Sequence, residues 1–352
     1  MMAERFTLSG TAVPVDPARM LDGLCARFVE HSDVWRSGNT ATLANHSGKA
    51  DLRDEGGQLS IELSCPTAAM LQMVRNVIAE HLFMIAGDEP LELTWADMPK
   101  PSALPDFREI RVVSASNVTP HMRRLTVACA DVAHFRDGGL HVRLLIPPKG
   151  RAPVWPSTRP DGRIDWPKGE DELTVRIYTI RSIDLDRSEM DIDFVLHKTC
   201  GLPMPGADFA QNARPGDVAG LLGPGGGGVP DASDMILAGD ETALPAISRI
   251  AAEMPAGSRL VAFVEVETEA EEQPLVSAAT LDIRWLHRNG AAAGTTGMLE
   301  KAIRSEIERA GPDTFVWAGC ERSEAKAIRD LLKARGHDRQ RSSIGSYWQR
   351  PQ

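Results

Sequence analysis

Two stretches near the start of the chain place apolar side chains at the spacing of an amphipathic helix. The first is residues 17–31, with apolar positions at Met20, Leu21, Leu24 and Phe28. The second is residues 67–84. Ala41–Leu43 and Leu59–Leu63 instead alternate apolar and polar residues, which is typical of strands with one buried face. Residues 1–97 are therefore predicted to form a small α+β domain, in which no catalytic constellation is visible.

The middle of the chain alternates apolar and polar residues over several short stretches. The alternation is clear in Glu172–Arg181 and Glu189–His197, and shorter candidates are Leu125–Val127 and His141–Ile146. Many short, half-buried strands separated by turn residues favour an antiparallel barrel or sandwich. Residues 105–229 are predicted to form this β domain.

The last third of the chain changes to continuous apolar runs separated by helical patterns. The runs are Met235–Ala238, Leu260–Val266, Leu281–Leu286 and Thr314–Ala318, and the helical stretches are residues 243–254, 297–309 and 322–335. Uninterrupted apolar strands that alternate with helices predict a parallel sheet covered on both faces, here over residues 233–352. A β-barrel followed by such a sheet is the layout of flavin reductases that take electrons from a nicotinamide.

Two breaks separate these segments. Met98–Pro105 contains three prolines in eight residues, which blocks helix and favours an extended linker. Gly223–Pro230 contains four consecutive glycines and is interpreted as a flexible connector, because the Lys-Ser/Thr pair of a phosphate loop is missing. If the β domain binds a flavin, as this layout suggests, a truncated protein that starts near Pro105 is expected to keep that flavin and its reductase activity.

Composition and charge exclude several classes of protein. The 352 residues include 39 basic and 49 acidic ones, a formal net charge of −10 without a basic cluster, which argues against a nucleic-acid partner. No apolar run is long enough for a transmembrane span, and the first residues do not resemble a secretory signal. The cysteines and histidines lack ligand spacing, so we expect no protein-bound metal and predict a reducing, cytoplasmic location.

Arg176, Tyr178 and Thr179 lie close together on one predicted strand and suit a flavin. A flavin needs a cation for its pyrophosphate, an aromatic face for its ring system and a hydroxyl near its reactive nitrogen. The alternative is an ordinary strand with one packed tyrosine. The flavin interpretation gains weight because the chain has two tyrosines, Tyr178 and Tyr347, and both fall in candidate motifs.

Two further candidates lie in the last segment. Residues 239–242 follow a predicted strand and open a helix, a geometry that places backbone N–H groups against an anionic ligand. Plain topology is the alternative, because Asp240 and Glu241 would oppose a phosphate at this turn. The aromatic pair Tyr347–Trp348 is predicted to dock in the flavin or nicotinamide pocket, and a final β-strand that packs both rings into the α/β domain is the alternative.

A series of short stretches between residues 105 and 350 matches a known family in order. They are Val118–Leu125, His141–Pro147, Arg176–Arg181, Asp193–His197, Ala213–Asp217, Gly220–Gly225, Gly239–Ile247, Glu265–Val266, Glu272–Leu275, Trp285–Arg288, Trp317–Gly319 and Tyr347–Trp348. On these stretches the chain resembles the siderophore-interacting proteins, which are flavin-dependent ferric-siderophore reductases. Residues 5–95 are similar to a small domain of uncharacterised function found beside such reductases. The family implies a six-stranded flavin barrel and a ferredoxin-reductase-like α/β domain that binds a nicotinamide, with FAD between them.

The resemblance also implies roles for individual residues. FAD would be held by Arg176, Tyr178, Thr179, His197, Gly206, Ala207 and Tyr347. The nicotinamide nucleotide would face Gly239, Asp240, Glu241 and Thr242, and the reacting centre would include Tyr178, Thr179 and Trp348. The chain departs from the family at Met204–Ala210, where the serine and tryptophan of the pyrophosphate-binding stretch are absent. It departs again at Gln349, where the family has an arginine that Arg350 would replace.

The activity that the resemblance implies is electron transfer from NADPH or NADH through FAD to a ferric siderophore, which releases Fe(II) inside the cell. A nicotinamide donates two electrons as a hydride whereas Fe(III) accepts one, and a flavin bridges this difference. One alternative is a general flavin reductase or electron-transfer protein with another acceptor and ferredoxin as its partner. The other is a siderophore-binding module without catalysis.

Overall fold

A computed structural model describes residues 5–29, 32–45, 47–97, 103–196 and 204–350. The strands are β1 (Phe6–Val13), β2 (Asp33–Ser37), β3 (Thr40–Asn45), β4 (Gly48–Asp54), β5 (Leu59–Cys65), β6 (Glu92–Trp95), β7 (Phe107–Thr119), β8 (Met122–Ala128), β9 (His141–Ile146), β10 (Ser157–Thr158), β11 (Ile164–Asp165), β12 (Thr174–Asp184), β13 (Glu189–Val195), β14 (Val218–Gly225), β15 (Asp234–Asp240), β16 (Arg259–Val266), β17 (Thr280–His287), β18 (Phe315–Glu321) and β19 (Ser342–Trp348). The α-helices are α1 (Pro17–Phe28), α2 (Ala68–Ala86), α3 (Pro205–Asn212), α4 (Leu244–Glu253), α5 (Met298–Arg309) and α6 (Arg322–Arg335). None of the helices in the described ranges is long and apolar enough to cross a membrane.

The chain divides into two compact units that do not follow chain order. One unit comprises Met1–Phe107 and Pro148–Leu173, and the other comprises Arg108–Pro147 and Thr174–Gln352. The predicted linker Met98–Pro105 lies mostly outside the described residues. Residues 148–173 therefore belong to the N-terminal unit, although they follow β9 and precede β12.

The first unit is built on an antiparallel sheet with the strand order β2-β3-β4-β5-β1-β6. Helix α1 begins where Asp16 accepts a hydrogen bond from the backbone N–H of Arg19, and α2 begins at the equivalent cap on Thr67. The apolar stripes of both helices join one core with the sheet, which includes Leu24, Ile61 and others. The predicted α+β domain and both of its helices are confirmed.

Residues 148–173 form an arm that completes the first unit. The indole Nε1 of Trp95 donates to the carbonyl oxygen of Asp161 at 2.9 Å. The guanidinium of Arg163 lies over the ring of Phe83, 3.4 Å from its centroid, which is cation–π geometry. These contacts are made to β6 and α2, so the arm packs on the small domain that precedes it in the chain.

Six strands of the second unit close into a barrel with the order β12-β13-β8-β7-β14-β9. The barrel is filled by side chains such as Leu125, Leu144, Ile192 and Phe194. The pairs β12–β13, β12–β9, β13–β8, β14–β9 and β7–β8 are antiparallel, as in the register that aligns Thr174 with Ile146. The antiparallel barrel predicted from the alternating pattern is confirmed.

The rest of the second unit is a parallel sheet with the order β17-β16-β15-β18-β19. In β15 the side chain of Leu237 packs toward α4, whereas Ile236 packs toward α5 and α6. Burial on both faces explains why these strands are continuous apolar runs in the sequence. The predicted parallel sheet and its three helices are confirmed.

Sequence patterning missed the strands whose faces are not clearly apolar. Most of β7 is exposed or half-buried, so its residues do not alternate. The glycine run was interpreted as a flexible connector, but Gly225 ends β14 and the carbonyl oxygen of Gly227 accepts a hydrogen bond from Leu140 at 2.8 Å. The start of this run is therefore held against the barrel.

Candidate functional site

Strand β12 carries Arg176, Tyr178 and Thr179 and directs them to two sides. Side chains alternate along a strand, so Arg176 and Tyr178 share one face and Thr179 lies on the other. Arg176 is exposed, and its Nη1 donates to the carbonyl oxygen of Val175 at 2.8 Å. Within the described part of the chain no carboxylate pairs with it, so this cation is available to an anionic ligand.

Tyr178 lies beneath the start of α3. Its ring is 4.2 Å from the ring of Phe194, centroid to centroid, and burial raises the pKa of Tyr178 to about 12. A Cβ atom at Gly206 would overlap the Tyr178 hydroxyl, so only glycine fits there, and Ala207 beside it is buried. The structure therefore brings Tyr178, Gly206 and Ala207 together, as the resemblance implied. His197 lies outside the described residues.

On the other face of β12, Thr179 is buried and pairs across the barrel strands with His141. A hydrogen bond of 2.6 Å joins Nε2 of His141 to the Tyr347 hydroxyl, with the two rings edge to face. Burial and the nearby charge of Arg249 lower the pKa of His141 to about 4, and burial raises the pKa of Tyr347. Both side chains are therefore uncharged at neutral pH.

The turn between β15 and α4 is closed by the carboxylate of Asp240. Its Oδ1 accepts hydrogen bonds from the backbone N–H and hydroxyl of Thr242 at 2.9 and 2.5 Å, and its Oδ2 accepts one from the indole of Trp348 at 2.6 Å. Gly239 is needed because a Cβ atom there would overlap the side chain of Ala243. The predicted residues 239–242 thus form one cluster with Trp348.

More carboxylates lie at the same end of the sheet. Arg288 donates to both carboxylate oxygens of Glu241 at 2.7 and 2.8 Å. The Nη1 of Arg288 also lies 3.4 Å from Oε1 of Glu265. Burial and neighbouring carboxylates raise the pKa of Asp240 to about 6 and that of Glu324 to about 7. In the described ranges, no group of histidine, cysteine and acidic residues is arranged to hold a metal ion.

Tyr347 and Trp348 belong to a final strand, which is the alternative that the sequence left open. Strand β19 runs parallel to β18, and the Tyr347 ring covers Gly319, where a Cβ atom would lie 2.8 Å from that ring. The pair nevertheless contacts two predicted sites, because Tyr347 bonds to His141 of the barrel and Trp348 bonds to Asp240.

Two buried charged residues fasten the α/β sheet to the barrel, and the sequence did not reveal either. Arg249 of α4 donates to the carbonyl oxygen of Arg136 at 3.1 Å and lies 3.5 Å from that of Ile180. Glu271 accepts a hydrogen bond of 2.5 Å from the Thr119 hydroxyl. Arg136 and Thr119 lie 113 and 152 residues from their partners, so no local pattern signals these contacts.

Known families match the chain in three consecutive parts. Residues 232–351 match the family described as siderophore-interacting protein, and residues 111–228 match the siderophore-interacting FAD-binding domain. Residues 11–96 match a family described as an uncharacterized protein conserved in bacteria.

Individual relatives agree with these matches. The ferric vibriobactin reductase ViuB of Vibrio cholerae is 31% identical over 189 residues, which are 52% of this chain and 67% of the relative. The crystal structure of a siderophore utilization protein from T. fusca is 37% identical with a TM-score of 0.61, covering 72% of this chain and 97% of that one. The siderophore-interacting protein SipS from Aeromonas hydrophila is 27% identical with a TM-score of 0.57, covering 70% of this chain and 93% of that one.

Proposed function

Because this chain belongs to the siderophore-interacting protein family, we propose that it is an FAD-dependent reductase that passes electrons from NADH or NADPH to a ferric siderophore. The match of residues 111–228 to an FAD-binding domain supports the cofactor. The ferric vibriobactin reductase among its relatives supports the acceptor. In this proposal residues 105–229 bind FAD, residues 233–352 receive the donor, and residues 1–97 have a separate role.

The observation that carries the proposal is the combination of Arg176 with Tyr178 beneath α3. Arg176 is an exposed cation without a carboxylate partner in the described ranges, and Tyr178 offers a half-buried aromatic ring. The N-cap residue of α3, Met204, makes no side-chain hydrogen bond to the first turn, which leaves the backbone N–H groups of that turn available to an anion. A cation, a helix start and an aromatic ring are the groups that a flavin pyrophosphate and ring system require. The residues therefore fit FAD, although the family's serine is absent.

FAD, when bound, would accept a hydride and release its electrons one at a time. Arg176 would bind the pyrophosphate, and Tyr178 would pack against the ring system. On the opposite face of β12, the uncharged side chains of His141 and Tyr347 form a half-buried contact between the barrel and the sheet. The chain's own residues would thus bind and orient the cofactor.

The hydrogen bonds between the barrel and the α/β sheet would help to position the electron donor, NADH or NADPH. Arg249 ties α4 to backbone carbonyl oxygens of the barrel, and Glu271 ties the segment after β16 to Thr119. Buried, charge-assisted hydrogen bonds of this kind are stronger than neutral ones. A donor held on the α/β sheet would therefore meet the barrel at a fixed distance, which is the main requirement for hydride transfer.

The experiment that tests the proposal is an anaerobic reduction assay with the full chain loaded with FAD. NADH or NADPH should bleach the flavin absorbance, and a ferrous chelator should capture about two Fe(II) for each nicotinamide oxidised, since a hydride carries two electrons. Failure to take up FAD would contradict the proposal that the barrel is an FAD-binding domain. Flavin reduction without Fe(II) release from any ferric siderophore would show that the acceptor is something else.

A further inference from the structure

Helix α2 of the N-terminal unit turns one face to the core of that unit and a second face to the arm. On the first face, Ile78 and Leu82 are buried in the core shared with the sheet. On the second face, the carboxylate of Glu80 accepts a hydrogen bond from the backbone N–H of Ile164 at 2.9 Å. With 3.6 residues per turn, these two faces leave about a third of the helix surface for another contact.

The third face of α2 is a stripe of mostly apolar side chains, here called the outer stripe. It consists of Met70, Met73, Val77, His81 and Met84, which follow one another at spacings of three and four residues. Among the described residues, the side chains that pack on the core do not include its four apolar members. Val77 and Met84 are 37% and 55% exposed. A helix that is apolar on every side is normally buried, so the outer stripe indicates a contact with a partner.

The two charged residues of α2 other than His81 lie away from the outer stripe. Arg75 is buried, and Glu80 is bonded to the arm. His81 bonds through Nδ1 to the carbonyl oxygen of Val77 in the preceding turn, at 2.8 Å. A partner of different sequence is usually selected by charged or polar residues at the contact. The outer stripe offers no lysine, arginine or acidic residue, so a surface as apolar as itself complements it best.

The outer stripe has the same spacing from both ends, as pairing with a second copy of the chain requires. Met70 and Met84 each lie seven residues from Val77, and Met73 and His81 each lie four residues from it. A two-fold axis at Val77 would therefore bring Met70 of one copy against Met84 of the other. Closed dimers use self-complementary surfaces of this kind. Antiparallel helices also place the positive N-terminal end of each beside the negative C-terminal end of the other.

We propose that the outer stripe of α2 joins two copies of this chain into a two-fold dimer. The 19 residues of α2 span about 28 Å, and a helix is about 10–12 Å wide, so about 300 Å² of each copy is in contact. A stable interface buries roughly 800 Å² per partner, so this dimer exchanges with the monomer. Flexible methionine side chains suit such a contact because they fill irregular gaps. The separate role of residues 1–97 is then to pair two reductases.

The test measures the mass of the full chain by analytical ultracentrifugation over a range of concentrations. We expect the wild type to form dimers at about 100 µM, since an interface of this size is weak. Val77→Glu and Val77→Lys each place like charges against one another at the axis, so each should weaken dimerisation at least about tenfold. Val276→Glu is the matched control, because Val276 is 76% exposed and lies outside α2. Thermal unfolding checks that each variant is folded.

Mixing the two charged variants identifies the occupant of the outer stripe. In an equimolar mixture of Val77→Glu and Val77→Lys, opposite charges face each other across the axis, so dimers should form again. A stripe that binds a different protein would give no such recovery. Val77→Cys is an independent probe: two thiols at the axis are close enough for a disulfide, which should form under mild oxidation at least about tenfold faster than in Val276→Cys.

Three results would overturn the proposal. The first is a wild-type protein that stays monomeric at about 100 µM, the concentration at which even a small interface should be populated. The second is dimerisation that is unchanged in both charged variants, which would place the interface elsewhere. The third is a mixture of the two charged variants that remains monomeric, which would show that the stripe does not face its own copy.

Discussion

Arg176 is the side chain on which FAD affinity should depend most. Removing one partner of a charge-assisted hydrogen bond costs about 1.5–3 kcal/mol, so Arg176→Ala should weaken FAD binding by about that amount, measured by fluorescence titration. Arg187→Ala removes an exposed arginine from the β12–β13 turn and serves as the control. Equal FAD affinity in the wild type and in Arg176→Ala would show that Arg176 does not bind FAD.

Glu324 and Asp240 should make the stability of the protein depend on pH. The pKa of Glu324 is raised to about 7 and that of Asp240 to about 6, so the folded chain holds these protons more tightly than the unfolded chain. Their contribution is then present at low pH and is lost as the pH rises through the raised values, which makes the free energy of unfolding fall between pH 5 and pH 8.

Glu324→Gln provides the measurement for this pH dependence. The variant cannot ionise at this position, so its free energy of unfolding should fall less between pH 5 and pH 8 than that of the wild type. The free energy of unfolding of the control variant Glu308→Gln should fall as much between pH 5 and pH 8 as that of the wild type. An identical fall in Glu324→Gln and wild type would show that Glu324 titrates normally.

Local motifs predicted the residues of the candidate site better than they predicted the contacts. Arg176 and Tyr178 share a face of β12, and Tyr178 contacts Gly206, because strand alternation and a helix start are short-range features. The hydrogen bond between His141 and Tyr347 joins residues 206 positions apart, which one sequence cannot reveal. The bond of the Asp240 carboxylate to its own turn was also not predicted, and the placement of Asp240 beside a nucleotide stays a prediction.

At the scale of secondary structure, β19 should contribute substantially to stability. It pairs with β18 along its length, and Tyr347 packs into the core shared with α4. Deleting residues 346–352 should lower the free energy of unfolding by at least about 3 kcal/mol, the usual cost of removing a packed aromatic side chain. Deleting only residues 351–352 is the control. Unchanged denaturant unfolding after the longer deletion would mean that the strand is dispensable.

Patterning predicted the elements whose burial is uniform and missed those whose burial is mixed. All residues of β15 except the first are buried, and the strand appears in the sequence as an apolar run. In β7 most residues are exposed or half-buried, because barrel strands face solvent over part of their length. The arm at residues 148–173 was missed because its two strands have two residues each, which is too short for an alternating pattern.

In the whole molecule, the arm at residues 148–173 belongs to the N-terminal unit but interrupts the second unit in the chain. Separating the second unit from the N-terminal unit therefore requires removing the arm as well. Thr174 pairs with Ile146, so the two ends of the arm are adjacent in the barrel. A two-residue Asn-Gly turn can therefore replace residues 147–173. A protein that starts at Arg108 and carries this turn should be monomeric and bind FAD with wild-type affinity.

The comparison for this prediction is a protein that starts at Pro105 and keeps the arm. There the contacts of Asp161 and Arg163 with the small domain are lost, so we expect it to bind FAD but to self-associate in light scattering. If the arm-free protein folds but takes up no FAD, the arm completes the flavin site and the domain boundaries proposed above are wrong.

In the proposed reaction, reduced FAD in this protein transfers electrons to a ferric siderophore. The most direct measurement is anaerobic rapid mixing of the photoreduced protein, without any nicotinamide, with a panel of ferric siderophores. We expect the oxidised flavin spectrum to return within a single turnover, with about two Fe(II) formed for each flavin. Flavin that stays reduced with every ferric siderophore, yet reoxidises with quinones or dyes, would show that a ferric siderophore is not the acceptor.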